Sequence, residues 1–408
     1  MTSGRITSRQ GMFALLFTAA VINYLDRQSL SVAAPHIRQQ FHLTGSQYSY
    51  IVVSFLLAYT LFHPIAGRLL DRLGTRTGFA LAIVWWSLAG MAQSAVGGVI
   101  SFCGVRFLLG MGEAAFLPAS VKAVSEWCTP EQRSNGVGLT NAGLGAGAMI
   151  ATPMMAWLIG HYEWRVAFLV TGATGFLWLA FWWIFPHEGA PFGRVSKVEA
   201  AQSKTSWIEL VRMRPVFGLM AARFISDSAW FFYLFWLPDY LSAVRGFNLR
   251  QIGAFAWIPY VSALVGGLVP GPLTTLLLRM GLSFNAARKS ALYGSAALMP
   301  IALGAAFVRE ASWAIALVSL ATFLIQVWAS NLFALPADLF PSSKVASVYG
   351  LAGATGSFAA MMFTLIVGWV VDHFSYTPIL VSVALMHPLA AIVLSFTIPK
   401  LEGTSELN

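Results

Sequence analysis

The chain has 408 residues, 57% of them hydrophobic and only 10% charged, against about 25% charged in an ordinary soluble chain. That balance excludes the two or three soluble domains that length alone would suggest, and most soluble enzymes with them. The net charge of +9 is accounted for by basic loops beside an acidic lipid leaflet, so it calls for no nucleic-acid partner. Cys103 and Cys128 offer neither a disulfide framework nor metal-ligand spacing.

Apolar runs of about twenty residues read as membrane spans. Inside lipid each backbone N–H and C=O must be satisfied internally, so each run is expected to be a helix. In chain order twelve spans are predicted, at 11–34, 48–68, 78–96, 99–121, 136–159, 165–186, 215–238, 252–278, 289–308, 311–335, 346–371 and 376–398. The start, RITSRQGMFALLFTAA, imitates a signal peptide, but the apolar stretch runs past Asn23 and many similar spans follow, so it is read as a retained first span. One long polar stretch, 187–214, divides the chain. The expected fold is an all-α membrane protein of two pseudo-symmetric six-helix bundles, 1–186 and 215–408, joined by a cytoplasmic linker at 187–214.

Basic residues fix the orientation. With the N-terminus inside, the inner loops carry Arg5, Arg9, Arg68, Arg72, Arg76, Lys122, Arg133, Arg194, Lys197, Lys204, Arg212, Arg214, Arg279, Arg288, Lys289, Lys344 and Lys400, while the outer loops carry only Arg38, Arg165, Arg245, Arg250 and Arg309. Both termini are therefore expected in the cytoplasm, with the chain in a bacterial inner membrane. The halves echo each other: GLTNAGLGAGAM (138–149) aligns without a gap with GLAGATGSFAAM (350–361), and one constant offset pairs Thr152 with Thr364, Trp157 with Trp369 and His161 with His373. PHIRQQFHL after span 1 loosely matches PDYLSAVRGFNL after span 7. Internal repeats of this kind belong to transporters, whose substrate site lies near the bilayer midplane between the repeats.

Six charges fall inside spans: Asp26 and Arg27, Arg106 and Glu113, Arg223 and Asp227. An unpaired charge at a helix centre costs about 2.5–3.5 kcal/mol on insertion scales, so each needs a partner or a function. Arg106 and Glu113 share a face of span 4 but lie about 10 Å apart along it; each needs a partner on another helix, and Asp26 and Arg27 are the natural candidates. Neighbours on a helix diverge by about 100°, which lets Asp26 face span 4 while Arg27 faces a cavity. Arg223 and Asp227 are four apart and pair directly. Arginine holds a carboxylate in a planar fork and keeps its proton, whereas Asp and Glu change charge. An anionic substrate that displaces an acid from its arginine favours protonation of that acid, which is thermodynamic coupling. Asn141 and Asn331 are polar at plausible midplane depth, although hydrogen bonding between helices explains each equally well. His63 before Pro64 and His387 before Pro388 are read as kinked-helix features, with proton relay as a minority role.

GRLLDRLGTRTG (67–78), between spans 2 and 3, resembles the signature of the major facilitator superfamily. Gly67 is expected to permit close helix approach. Asp71 is expected to take hydrogen bonds from neighbouring helix ends or from Arg133, with Arg72 and Arg76 beside it, latching an inner gate. RFLLGMGEAAF (106–116) resembles the second signature of that superfamily, and with NYLDR (23–27) it is similar to the anion:cation symporter family. QYSYIVVSFLLAYTLFHPIAGRLLDRLGT, SEWCTPEQRSNGVG and NLRQIGAFAWIP resemble bacterial hexuronate transporters. The resemblance implies a proton-coupled importer of a sugar acid by alternating access, with the proton as coupling ion and no other cofactor or metal. It gives Asp26 and Glu113 the proton and Arg27 the substrate carboxylate. Arg106 tunes the acids, and Tyr24 and Tyr59 donate to sugar oxygens. Arg223, Asp227, Asn141 and Asn331 complete the expected substrate-binding set, and the transporter is expected to work as a monomer. Asp26 is shared with galactonate-type carriers, which keeps an aldonate open as substrate. An organic-phosphate antiporter, with Arg27 and Arg223 clamping the phosphate, is the competing reading, and the acids beside those arginines oppose it.

Overall fold

The computed structural model describes residues 3–127, 130–185, 207–340 and 342–398. The twelve predicted spans are all helical, and nine helices among the described residues are long and apolar enough to cross a membrane. The other three carry spans 1, 2 and 7. Span 1 holds the buried polar and charged residues Asn23, Asp26, Arg27 and Gln28, and span 7 the half-buried Arg223 and Asp227, which lowers their hydropathy.

The first half runs α1 (Ser3–Gln40), α2 (Gly45–Leu73), α3 (Thr75–Ala92), α4 (Val99–Glu113), α5 (Phe116–Trp127), α6 (Pro130–His161) and α7 (Trp164–Ile184). Predicted span 4 is thus two helices, broken at Ala114 and Ala115. Pro118 explains the break, because it has no N–H for the carbonyl of Ala114 one turn earlier. A short helix α8 (Trp207–Arg212) occupies the end of the predicted linker, whose residues 187–206 lie outside the described set. Then come α9 (Arg214–Arg245), α10 (Leu249–Phe255), α11 (Ile258–Leu268), α12 (Pro270–Arg279), α13 (Phe284–Leu298), α14 (Gly304–Phe307), α15 (Ala311–Leu339), α16 (Ser342–His373) and α17 (Thr377–Thr397). Span 8, expected as one helix over 252–278, is instead α10, α11 and α12. Pro259 and Pro270 each stand at the start of a new helix, where a missing N–H does no harm.

The internal repeat is visible in the caps. Thr44 and Gln47 open α2 with a capping box, each side chain bonded to the other's backbone N–H at 3.1 and 3.0 Å. Asn248 and Gln251 open α10 the same way at 2.9 and 3.0 Å. These caps lie at the ends of the sequence segments that resemble each other after spans 1 and 7. The offset pairs Trp157–His161 and Trp369–His373 also repeat, each as a ring pair with centroids 4.7 Å apart.

The chain forms two compact units, residues 1–195 with 235–257, and 196–234 with 258–408. The sequence reading placed all of 215–408 together, whereas contacts assign 235–257 to the first unit. Its anchors there are the Arg38–Asp239 ion pair, the Tyr48 hydroxyl donating to the Phe235 carbonyl at 2.9 Å and the Ser31 hydroxyl donating to the same oxygen at 3.1 Å. Within this unit α1 lies against α6 and α2 against α4. The approach of α6 to α1 requires glycine: a Cβ on Gly143 would stand 2.6 Å from the Phe17 carbonyl oxygen, and one on Gly147 2.5 Å from that of Val21. The second unit has a core of Leu210, Val216, Leu219, Trp328, Leu332 and Leu394 among others. The Trp328 indole donates to the Ser226 hydroxyl at 3.0 Å.

Candidate functional site

In the first unit, α1 and α4 bring four of the predicted charges into the apolar interior. Asp26, Arg27, Arg106 and Glu113 are 1%, 6%, 0% and 0% exposed. Arg27 directs Nε and Nη2 at a single oxygen of Glu113, Oε2, at 3.2 and 2.9 Å. Its guanidinium carbon lies 4.9 Å from the ring centroids of both Tyr24 and Tyr59, and 5.0 Å from that of Phe55. Arg106 lies over the same Phe55 ring at 4.6 Å. Phe55 therefore contacts both buried cations. Sequence reading missed it, because a Phe in an apolar run carries no signal of its own. Its backbone oxygen also packs against Gly110 of α4, which holds this residue against the helix that carries Arg106.

The partner assignment differs from the expectation. Asp26 was expected to face span 4 with Arg27 toward a cavity; the hydrogen-bonded link to α4 is made by Arg27. Asp26 turns instead toward α3, where a Cβ on Gly90 would stand 3.8 Å from its Oδ1. The separation of about 100° around α1 produces this split, and Gly90 gives the carboxylate its room. Both Asp26 oxygens, Glu113 Oε1 and all three Arg106 nitrogens are buried without a close hydrogen-bond partner among the described residues, with Thr171 the hydroxyl beside Asp26 and Asn23 the amide beside Glu113. Arg106 acts electrostatically on both acids, and the acids act on each other. Buried polar atoms are ordinarily satisfied, so a cluster with this much unused bonding capacity has room for further partners.

In the second unit, Arg223 Nε and Asp227 Oδ2 pair along α9 at 2.8 Å, as the spacing predicted. The Arg223 guanidinium lies 4.2 Å from the Phe333 ring centroid and 5.5 Å from that of Tyr349, and Nη1 has no partner. Asn331, 1% exposed, spends Nδ2 on the Val327 carbonyl one turn back at 2.9 Å and leaves Oδ1 unpartnered. Asn141 is exposed on α6 and lies off the stripe of Gly143 and Gly147 that meets α1. Its place in the cluster is therefore not visible.

The signature between α2 and α3 fits its predicted role only in part. A Cβ on Gly67 would meet nothing within 4 Å, so close helix approach is not its role here. Arg72 is exposed. Arg76 turns to α7, donating to the Trp183 carbonyl at 3.2 Å and stacking 5.2 Å over its ring. The side chains of Asp71 and Arg133 lie outside the described residues. The cation that does engage the end of α2 is Lys122 of α5, whose ammonium donates to the Leu70 carbonyl at 2.9 Å. A cation near a helix C-terminus is favoured by the helix dipole. In the sequence Lys122 counts only as an inner-loop charge, and its contact with α2 follows from tertiary packing.

Residues 16–364 match the Major Facilitator Superfamily. The chain is 32% identical over 400 residues to the hexuronate transporter of Escherichia coli (strain K12), covering 94% of this chain and 92% of that one. It is 29% identical to the D-galactonate transporter of Escherichia coli O6:H1, covering 93% and 94%. In fold it is similar to the crystal structure of a bacterial homolog of the human lysosomal transporter Spinster, with a TM-score of 0.74, 15% identity and 95% of each chain covered. Twelve helical spans, a repeat that reaches from the sequence into the helix caps, and a family match over most of the chain lead to one conclusion: the protein belongs to the major facilitator superfamily, and is a multi-pass membrane transporter rather than an enzyme.

Proposed function

We propose that the protein is a proton-coupled symporter that imports a sugar acid by alternating access, with a hexuronate such as galacturonate or glucuronate as substrate. The single observation that carries this reading is the Arg27–Glu113 pair. Arg27 is held by an acid that can be neutralised, and it is ringed by Tyr24, Tyr59 and Phe55. A substrate carboxylate takes the arginine fork, Glu113 is released, and a proton neutralises it. Substrate and proton then favour the same state of the site. Asp26, beside Arg106, is the second acid available for a proton. Tyr24 and Tyr59 are placed to donate to sugar hydroxyls as well as to cover the guanidinium. The names of the relatives support the substrate class, and the basic-loop asymmetry supports a bacterial inner membrane with both termini cytoplasmic. The test is uptake of radiolabelled glucuronate and galactonate into proteoliposomes under an imposed pH gradient. Accumulation driven by external acid supports the reading, and uptake of neither acid at any gradient overturns it.

A further inference from the structure

We propose that His63 is the group through which the proton leaves Glu113 toward the cytoplasm, an assignment that rests on the proton-coupled reading above. Because Pro118 lacks an N–H, the Ala114 carbonyl has no helical donor, and the helix breaks directly after Glu113. Ala114 N bonds back to Gly110 at 3.1 Å and Ala115 N to Gly112 at 3.3 Å, and α5 begins at Phe116. The ring of His63 on α2 engages the freed backbone at Ala114. Nδ1 is buried with no partner among the described residues, so we assign the contact with that carbonyl to Nε2. Glu113 Oε1, on the neighbouring residue, is buried and unpartnered in the same way. The remaining contacts form a chain. Arg27 holds Glu113, Tyr59 lies 4.9 Å from the Arg27 guanidinium, and the Tyr59 and His63 rings have centroids 5.6 Å apart, one helical turn along α2. His63 is partly exposed and lies nearer than Tyr59 to the end of α2, which the proposed orientation places on the cytoplasmic side.

The other charged groups on the helices around His63 have partners or roles of their own. On α4 they are Arg106 and Glu113. On α5, Lys122 is bound to the Leu70 carbonyl and Glu126 accepts from the Thr75 hydroxyl at 2.7 Å. On α3, Arg76 is bound to the Trp183 carbonyl. On α1, Arg27 reaches His63 only through Tyr59. Glu113 is therefore the acid beside the backbone that His63 grips. In the step proposed, the Glu113 carboxylic acid gives its proton, through water, to His63 Nδ1. Glu113 becomes a carboxylate and closes again on Arg27 as the substrate departs. The imidazolium passes the Nδ1 proton to cytoplasmic water and keeps Nε2–H on the Ala114 carbonyl.

The experiment is His63→Gln in proteoliposomes. A glutamine amide still donates to the Ala114 carbonyl but carries no proton, so it separates relay from backbone support. Exchange of labelled for unlabelled glucuronate is expected within about twofold of the parent with unchanged KM, while uphill uptake under a pH gradient falls at least about tenfold, a modest share of what positioned proton transfer supplies. Dependence of the uphill rate on lumenal pH is expected to disappear in the variant. Parental uphill uptake in the variant overturns the assignment alone. Loss of exchange together with uptake assigns His63 a structural role and also overturns it. A parent protein indifferent to the pH gradient overturns the proton-coupling reading, and this proposal with it.

Discussion

Glu113→Gln tests the coupling at its centre. The carboxylate receives two guanidinium hydrogens on one oxygen, at 3.2 and 2.9 Å, in a site with 0% exposure. A carboxamide is nearly the same size and still offers an oxygen to Arg27, so the substitution leaves the packing of α4 against α1 intact. What changes is charge. A hydrogen bond to a charged group contributes about 1.5–3 kcal/mol and a neutral one about 0.5–1.5, so two bonds together lose about 2–3 kcal/mol. That energy is what an incoming carboxylate must displace in the parent. With glutamine at 113 the substrate meets a guanidinium with no anionic competitor, and its affinity is expected to rise about thirtyfold to a hundredfold, since each 1.4 kcal/mol is a factor of ten. The variant takes up no proton at this position, so pH-driven accumulation should stop while exchange of labelled for unlabelled substrate continues. Isothermal titration with glucuronate, together with paired uphill and exchange assays in proteoliposomes, reads all three quantities. Uphill accumulation at the parental rate refutes the reasoning outright. Weakened binding also refutes it, because it shows that Glu113 holds the substrate rather than competing with it.

Arg27→Lys keeps the positive charge but loses the fork that spans Nε and Nη2, so KM for the sugar acid is expected to rise about tenfold to a hundredfold, the equivalent of one charged hydrogen bond; a KM near the parental value in transport assays removes Arg27 as the carboxylate ligand. Gly147→Ala places a Cβ 2.5 Å from the Val21 carbonyl oxygen and 2.9 Å from Tyr24 Cβ. The backbone has to shift, and overpacking of this kind costs about 1–3 kcal/mol. A lower Tm and a raised KM should appear together; an unchanged Tm shows that α1 and α6 accommodate the methyl. In the parent, the initial rate of sugar-acid uptake should rise as external pH falls at constant internal pH. The sign follows because protonating Glu113 removes the competitor for Arg27. Flat dependence in sealed vesicles contradicts it.

The parts of this architecture that are legible in the sequence are those governed by long patterns. Lipid admits no unsatisfied backbone, so apolar runs become helices whatever their neighbours do, and all twelve were placed. Interruptions depend on single residues, and there the reading was coarser. Pro118 breaks the fourth span just beyond Glu113, and Pro259 and Pro270 divide the eighth. The charges were visible for a related reason: Asp26, Arg27, Arg106 and Glu113 stand out against an apolar background. Which acid meets which arginine depends on rotation about α1 and on the room left by Gly90, quantities that no linear spacing encodes. Phe55 against both arginines, Lys122 on the end of α2 and His63 beside the Ala114 backbone all use ordinary residues at positions set by tertiary packing. They are invisible until helices are brought together. Gly67 shows the reverse: its motif is plain in sequence, yet nothing approaches it here.

The charge count of the first unit explains why a proton suits this site as the coupling ion. With both acids ionised, Asp26 and Glu113 balance Arg27 and Arg106, and the buried cluster sums to zero. A monocarboxylate entering alone would leave one uncompensated negative charge in an interior where lone ions carry penalties of several kcal/mol. One proton on Glu113 restores neutrality, so the loaded and empty forms both cross the bilayer without net buried charge, and the form carrying only the anion is the disfavoured one. The arginines cannot perform this correction, because they do not release their protons. Replacing Arg106 with a neutral residue would shift the balance by one charge and hold one acid protonated in the empty site, so that the proton accompanying the substrate would have to bind the other acid, while Arg27 stays in place. In the proposed reading the two arginines have different tasks: Arg27 supplies the contact that the substrate takes over, and Arg106 sets how many protons the empty site holds.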